Sequence, residues 1–258
     1  MNTPDPDTFF VGYLDGVAEP TRRHLVRWIL LALVVMVGAG GAAAALQNES
    51  RAGVFEFGVV RPFAGWVERV PHPVLVVPHG PGEAGASRYL LTAFGKSGAD
   101  HHFEGGAQGT WYEFDGTLVH RDGRTMVEVA DGTVRAATAP EGMRRPASEA
   151  VDLGTVTLRG EIVDSKCFLG VMKPGSAKSH RACAVRCISG GVPPVLLVRD
   201  AEGYATYYLL VDEAGGAVNE RVLPIVALPV EITGDLERQD DLLVLRADPD
   251  DYRVLRAD

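Results

Sequence analysis

The sequence has few of the short motifs that mark catalytic and cofactor sites. It contains no C-x-x-C pair, no C-x-x-C-H haem-attachment motif, no nucleophile elbow and no carboxylate pair suited to general acid–base chemistry. The G-K-S run at Gly95–Ser97 is not a phosphate loop, because Leu90 stands where that motif needs a glycine and no strand-to-helix pattern surrounds it. Only three cysteines occur in 258 residues, so the thiol chemistry of the chain is confined to one short stretch.

Positive charge is scarce as well. The formal net charge is −9 and the sequence pI is near 5.3, with no stripe of lysine and arginine. Binding to nucleic acid depends on such a stripe or patch, because the phosphate backbone supplies much of the affinity. We therefore expect no nucleic-acid partner.

One long apolar run is present, and it reads W-I-L-L-A-L-V-V-M-V-G-A-G-G-A-A-A-A-L over residues 28–46. At 1.5 Å per residue this run spans about 28 Å, close to the thickness of one hydrocarbon core. Arg22, Arg23 and Arg27 precede it, and the basic flank of a membrane helix stays in the cytoplasm. The pattern predicts a cytoplasmic leader over 1–27 and a single-pass bacterial inner-membrane anchor over 28–46, with the remainder in the periplasm.

Two alternatives to a plain anchor remain open. The A-A-A-A-L-Q end of the run is compatible with signal-peptide cleavage. The leader also contains T-R-R-H-L-V-R at Thr21–Arg27, which resembles the twin-arginine motif of proteins exported in the folded state. That resemblance implies a cofactor loaded before export.

The residues after the anchor show no amphipathic helical period longer than three turns. Short alternating runs are separated by Gly, Pro and Asp, and two halves can be superposed strand for strand. Each half has a long fourth strand with a bend at Gly116 or Gly234, followed by a tight turn at Arg121–Arg124 or Arg238–Asp241. Five strands with this closing hairpin predict a mainly β fold of two tandem OB-like β-barrels. The predicted segments are the first barrel over 55–135, a polar linker over 136–152 and the second barrel over 153–258.

The second half carries an insertion over 164–191 that the first half lacks, and all three cysteines lie in it. His180, Cys183 and Cys187 are spaced three and four residues apart, which places them on one face of a helix. Cys167 lies beyond a loop and must fold back to join them. Three thiolates and one imidazole form the donor set of a tetrahedral site for zinc or another thiophilic metal.

Two other roles for the cysteines stay open. In an oxidising compartment, three cysteines are also compatible with one structural disulfide and one spare thiol. A reactive thiol is the third possibility, because basic neighbours lower a thiol pKa. The candidate basic neighbours are Lys166, Lys178, His180, Arg181 and Arg186.

Some other polar residues admit a functional or a structural role. Asp164 precedes Cys167 by three residues, so it is either a metal ligand or outer-shell partner, or a turn and N-cap residue. The H-H-F-E run at His101–Glu104 is a candidate for loose transition-metal binding, but its histidines lack a fixed ligand spacing. We interpret them as solvated loop residues.

The run around the cysteines resembles a module of uncharacterised exported, membrane-anchored bacterial proteins, in which G-E-[IV]-[VI]-D-x-x-C is followed by H-x-x-C-A-x-x-C and a G-x-P exit into a strand. The matching positions are Gly160, Glu161, Asp164, Cys167, His180, Cys183, Cys187, Gly191 and Pro193. The resemblance implies an exported, membrane-associated protein and carries no catalytic role.

These patterns together predict a membrane-anchored periplasmic accessory protein rather than an enzyme. Its cluster of Cys167, His180, Cys183 and Cys187 is expected to bind a metal or redox centre and to serve a membrane redox or metal-handling complex. The alternative is a structural adaptor whose insertion is pinned by a disulfide and holds no cofactor.

Overall fold

The computed structural model of the chain describes Val17 and residues 19–47, 53–80, 85–147, 150–201 and 203–255. Most of the predicted leader therefore lies outside the described residues. The chain divides into two compact units, Met1–Ser50 and Arg51–Asp258.

The first unit is dominated by helix α1, Glu19–Gln47, which extends beyond the predicted apolar run at its N-terminal end. Pro20 occupies the first turn, where a missing N–H costs no helical hydrogen bond. Within the helix segment Glu19–Ala45, an 18-residue window has a mean hydropathy of 2.2, so the segment is long and apolar enough to cross a membrane. None of that apolar surface is buried by the described protein.

The second unit is built from strands joined by short helices and turns. The strands of its first half are β1 Val54–Phe55, β2 Arg61–Glu68, β3 Val74–Pro78, β4 Ala86–Thr92, β5 Thr110–Arg121, β6 Arg124–Val129 and β7 Arg135–Ala136, with a 3₁₀ turn at Asp100–Phe103. The strands of its second half are β8 Ala150–Asp164, β9 Pro194–Arg199, β10 Ala205–Val211, β11 Pro229–Gln239, β12 Leu242–Arg246 and β13 Arg253–Val254. The helices of this half are α2 Arg181–Ser189 and α3 Asn219–Val222, with a π turn at Cys167–Val171 and 3₁₀ turns at Lys178–His180, Leu223–Ile225 and Pro249–Asp251.

Each half closes into a barrel with the same strand pairing. In the first barrel β2, β3 and β4 pair in antiparallel succession, β4 pairs in parallel with β6, and β5 closes the ring between β6 and β2. In the second barrel β8, β9, β10, β12 and β11 repeat this order, again with one parallel pair. The predicted fold class is confirmed: the chain is mainly β, with two closed five-stranded barrels and one N-terminal apolar helix.

Glycines occupy matching positions in the two barrels, where neighbouring strands approach closely. A Cβ on Gly65 of β2 would lie 2.7 Å from the carbonyl oxygen of Val76, and a Cβ on Gly160 of β8 would lie 2.2 Å from that of Leu197. The β5–β6 turn uses Gly123, whose positive φ the tight hairpin requires. The repeat seen in the sequence thus reflects one folding pattern used twice.

The two barrels share a hydrophobic cluster in addition to the core of each barrel. Trp66 and Trp111 of the first barrel belong to it, as do Leu197 and Tyr207 of the second. Three residues of the segment predicted as a linker pack against the same cluster, namely Ala137, Ala139 and Met143. Residues 137–147 contain no helix or strand, but these three side chains pack this segment against the shared cluster. The exact domain boundaries remain predictions.

Candidate metal centre

The centre begins where the long strand β8 ends at Asp164. The buried Asp164 carboxylate accepts a hydrogen bond from the backbone N–H of Cys167 at 2.8 Å, which caps the turn Cys167–Val171. This turn reverses the chain directly after the strand. The Cys167 side chain therefore enters the protein interior, where it is buried.

The loop that follows is held tightly against this turn. A Cβ on Gly175 would lie 2.5 Å from the carbonyl oxygen of Cys167, so only glycine permits this approach. Further on, the Glu161 carboxylate accepts a hydrogen bond from the backbone N–H of Ala177 at 3.0 Å. Burial raises the Glu161 pKa, and the Ala177 hydrogen bond acts against that rise. These contacts fix the start of the helical segment that carries the other candidate ligands.

That segment is the 3₁₀ turn Lys178–His180 followed by α2. His180, Cys183 and Cys187 lie on one face of it, and His180 and Cys187 are buried while Cys183 is half-buried. Beyond the helix, Asn219 donates from Nδ2 to the carbonyl oxygens of Ile188 at 2.8 Å and Val192 at 3.1 Å. The helical placement predicted from the spacing is what the structure shows.

The sulfur atoms converge at distances suited to one metal ion. Cys167 Sγ lies 3.8 Å from Cys187 Sγ and 3.9 Å from Cys183 Sγ, and all three cysteines are free thiols. Zinc–sulfur bonds of about 2.3 Å in a tetrahedral site place two sulfurs about 3.8 Å apart. Cys167 is therefore spaced from each of the other two thiols as two ligands of one ion would be.

The imidazole of His180 lies beside two of these thiols. The ligand atoms of Cys167, His180 and Cys183 all lie within 4.8 Å of one another. The Asp164 carboxylate is 3.1 Å from His180 Nε2 and accepts a hydrogen bond from it. A carboxylate behind a histidine in this way orients the ring and raises its basicity as a ligand. Asp164 is thus a turn residue whose two oxygens have different partners, because one accepts from the Cys167 backbone and the other holds His180.

Asp164 also offers a second way to close the coordination sphere. Its carboxylate lies within 4.8 Å of the ligand atoms of Cys167 and Cys187. Cys167 is common to this group and to the group with His180 and Cys183. The residues available to a metal are thus the three thiols, the imidazole of His180 and, as a direct or outer ligand, Asp164.

A lysine from the first barrel reaches the thiols. Lys96 Nζ lies 2.7 Å from Cys183 Sγ and 3.8 Å from Cys187 Sγ. The hydrogen bond to Cys183 raises the pKa of Lys96, so this group is a cation at neutral pH. Lys96 belongs to the same G-K-S run that the sequence excludes as a phosphate loop. No sequence motif connects Lys96 with Cys183, which is 87 residues away in the chain.

A second lysine, from the insertion itself, holds the loop that carries Lys96. Lys166 Nζ donates to the carbonyl oxygens of Ala93 at 2.7 Å and Gly95 at 2.8 Å. The same ammonium group pairs with Glu128 of β6 at 2.5 Å, and its side chain is only 2% exposed. Because an unpaired buried charge is costly, these contacts fix the loop strongly. The sequence makes Lys166 a candidate base for activating a thiol. In the structure its ammonium group instead joins the two barrels through these contacts.

The buried thiols share protons unequally. Cys167 holds its proton in the hydrogen bond to Cys187, and together with burial this raises the Cys167 pKa. The same hydrogen bond lowers the pKa of Cys187, aided by the positive charge of Lys96 and opposed by burial. In the metal-free state Cys187 is thus the more easily ionised thiol of this pair. A bound cation would remove the remaining protons, because coordinated cysteine is deprotonated.

No protein-family model and no curated protein matches this chain.

Proposed function

We propose that this chain is a membrane-anchored periplasmic accessory protein whose second barrel binds a metal or redox centre through Cys167, His180, Cys183 and Cys187. One observation carries the proposal. Cys167 Sγ lies at a metal-sharing distance from the sulfurs of both Cys183 and Cys187, and the ligand atoms of Cys167, His180 and Cys183 lie within 4.8 Å of one another.

The composition of the centre supports a holding role rather than hydrolysis. Four protein ligands fill a tetrahedral shell, whereas a hydrolytic zinc site keeps one position open for water. Most of the donor atoms are buried, and Cys183 with the exposed Lys96 forms the side that faces solvent. Such a centre is suited to storing or passing on a metal ion or an electron.

The membrane context supports a partner in the same bilayer. Helix α1 meets the length and hydropathy of a single membrane span, and the arginines before it favour a cytoplasmic N-terminus. Around the centre Lys96, Lys173, Lys178 and Arg186 are exposed in a chain of net charge −9. We propose a membrane redox or metal-handling complex as the partner, with an acidic surface that meets these cations.

The sulfur positions weigh against a disulfide-pinned adaptor. Cys167 is nearly equidistant from Cys183 and Cys187, at 3.9 and 3.8 Å, so neither thiol is singled out as its partner. A structural disulfide needs one chosen pair and leaves the third thiol without a role. A shared ion uses all three.

The test is the metal content of the full-length protein, purified in detergent without chelators and with thiols protected from oxygen. We expect about one equivalent of a thiophilic metal per chain, with sulfur and nitrogen neighbours in its X-ray absorption spectrum. Cys183→Ser and His180→Gln are expected to lower the occupancy at least about tenfold. His79→Gln, which removes a histidine from the β3–β4 connection, is the matched control and should retain the metal.

Two outcomes would overturn the proposal. The first is a folded protein that contains no stoichiometric metal and takes up neither Zn²⁺ nor Cu⁺. The second is an intact mass that lacks two protons per chain before reduction and regains them afterwards, which would establish the disulfide adaptor. A circular dichroism spectrum for each variant separates loss of metal from loss of fold.

A further inference from the structure

A second cluster of metal-ligating side chains lies outside the cysteine centre, on the first barrel. The ligand atoms of His101, His102 and Asp131 all lie within 4.8 Å of one another. His101 and His102 stand on the 3₁₀ turn Asp100–Phe103, and their ring centroids are 4.0 Å apart. A proton on one of these rings repels a proton on the other, so the pair favours the neutral imidazole, which is the form that binds a metal.

The decisive observation is a buried ring nitrogen without a hydrogen bond. The His102 side chain is 8% exposed, and its Nε2 is buried with no hydrogen-bond partner among the described residues. Asp131 Oδ1 lies 3.4 Å away, but the pair lacks the geometry of a hydrogen bond. A buried polar atom left in this state calls for an explanation, and an ion between the imidazole and the carboxylate supplies one.

The scaffold holds these groups in place. Phe103, the next residue of the turn, is fully buried and meets Tyr112 edge to face, with ring centroids 5.0 Å apart. Asp131 lies in the turn after β6, where Ala130 donates from its backbone to Asp115 at 2.8 Å. Thr133 Oγ1 closes the same turn on the Ala130 carbonyl at 2.8 Å. Both halves of the cluster are therefore anchored to the barrel wall.

We propose that His101, His102 and Asp131 form a second metal site, for a divalent first-row transition ion such as Zn²⁺ or Ni²⁺. Two imidazoles and one carboxylate match the ligand preference of these ions. Unlike the cysteine centre, this site contributes only three protein ligands, and His101 and Asp131 are exposed. Its remaining positions are open to water, so the ion exchanges with solvent. The sequence favours solvated loop histidines here, and this proposal assigns them a ligand role instead.

The experiment is a Zn²⁺ titration of the full-length protein in detergent by calorimetry, with the ¹⁵N resonances of the histidine rings recorded in parallel. We expect one equivalent beyond any bound by the cysteine centre, with shifts in the His101 and His102 resonances. His101→Ala and Asp131→Asn alter exposed side chains and are each expected to weaken this equivalent at least about tenfold.

The control is His120→Ala. His120 also lies 3.4 Å from a carboxylate, that of Glu56, but it belongs to no group of potential metal ligands among the described residues. This variant should leave the equivalent intact. The same Zn²⁺ affinity in His101→Ala, Asp131→Asn and the unaltered protein would overturn the proposal, as would Zn²⁺ binding that leaves both ring resonances unmoved. Cys183→Ser tests the other centre alone, so the two sites succeed or fail independently.

Discussion

Lys96 of the first barrel and Cys183 of the second lie 2.7 Å apart, measured from Nζ to Sγ. This contact crosses the boundary between the two barrels and brings a cation to a cluster of thiols. Three thiolates and one divalent ion carry a net charge of about −1, so an ammonium group beside them is favourable.

The first prediction concerns this cation. Lys96→Met removes the positive charge, and we expect faster transfer of the metal from the protein to a chromogenic chelator. Because Lys96 is exposed and screened by solvent, its contribution is limited to about 1 kcal/mol, or about fivefold in rate. The difference should shrink at high ionic strength.

Lys96→Arg keeps the charge and should behave nearly as the unaltered protein. Lys178→Met, which removes an exposed lysine of the cysteine-bearing insertion, should leave the transfer rate unchanged. Equal rates for Lys96→Met and Lys178→Met at low salt would show that Lys96 has no electrostatic role.

The second prediction concerns the carboxylate behind His180. Asp164→Asn keeps an oxygen that can cap Cys167, but it weakens the partner of His180 Nε2. Loss of such an outer-shell carboxylate typically lowers metal affinity about 10- to 100-fold. Competition with a chelator of known affinity measures the change, and a normal melting temperature for the metal-free variant would separate this effect from misfolding. Unchanged affinity would place His180 outside the coordination sphere.

The third prediction concerns the buried pair that joins the barrels. Lys166→Met leaves Glu128 without its partner, and Glu128 is only 13% exposed. We expect the free energy of unfolding to fall by about 3–5 kcal/mol, measured by denaturant titration of the full-length protein in detergent. The double variant with Glu128→Gln should lose less than the two single variants added together, because the buried charge is then absent. Strict additivity would refute the coupling.

The fourth prediction is a pH dependence that originates at His72. This side chain is buried, and its Nε2 lacks a hydrogen-bond partner among the described residues. Burial lowers the pKa of His72 to about 4, whereas an unfolded histidine titrates near 6.5. Between these two values the unfolded state binds more protons, so stability falls as the pH falls, by about 3 kcal/mol in total.

The comparison uses His72→Leu, which should flatten the pH dependence of unfolding between pH 6.5 and 4 relative to the unaltered protein. His120→Leu, at a half-buried histidine, should leave that dependence unchanged. Parallel profiles for His72→Leu and the unaltered protein would exclude His72 as its source.

The sequence by itself predicted the helices, the strands and the two-barrel repeat of this protein. The apolar run predicts the membrane-length helix, because hydropathy over about twenty residues needs no tertiary contact to be read. Alternating apolar residues with Gly at the bends predict strands, and the repetition of that pattern predicts two barrels. The three-and-four spacing of His180, Cys183 and Cys187 predicts their common face, because it depends only on the helical period.

Tertiary structure alone decided what surrounds that face. Cys167 joins the cluster because Asp164 caps its turn and Gly175 lets the loop close on it. Lys96 and the Lys166–Glu128 pair come from chain segments far apart in sequence, and so do His102 and Asp131, whose side chains lie 3.4 Å apart. Periodicity and turn chemistry act between neighbouring residues, so they specify the elements. The positions of charged and ligating groups from different elements depend on how the two barrels pack, which short-range sequence patterns do not encode.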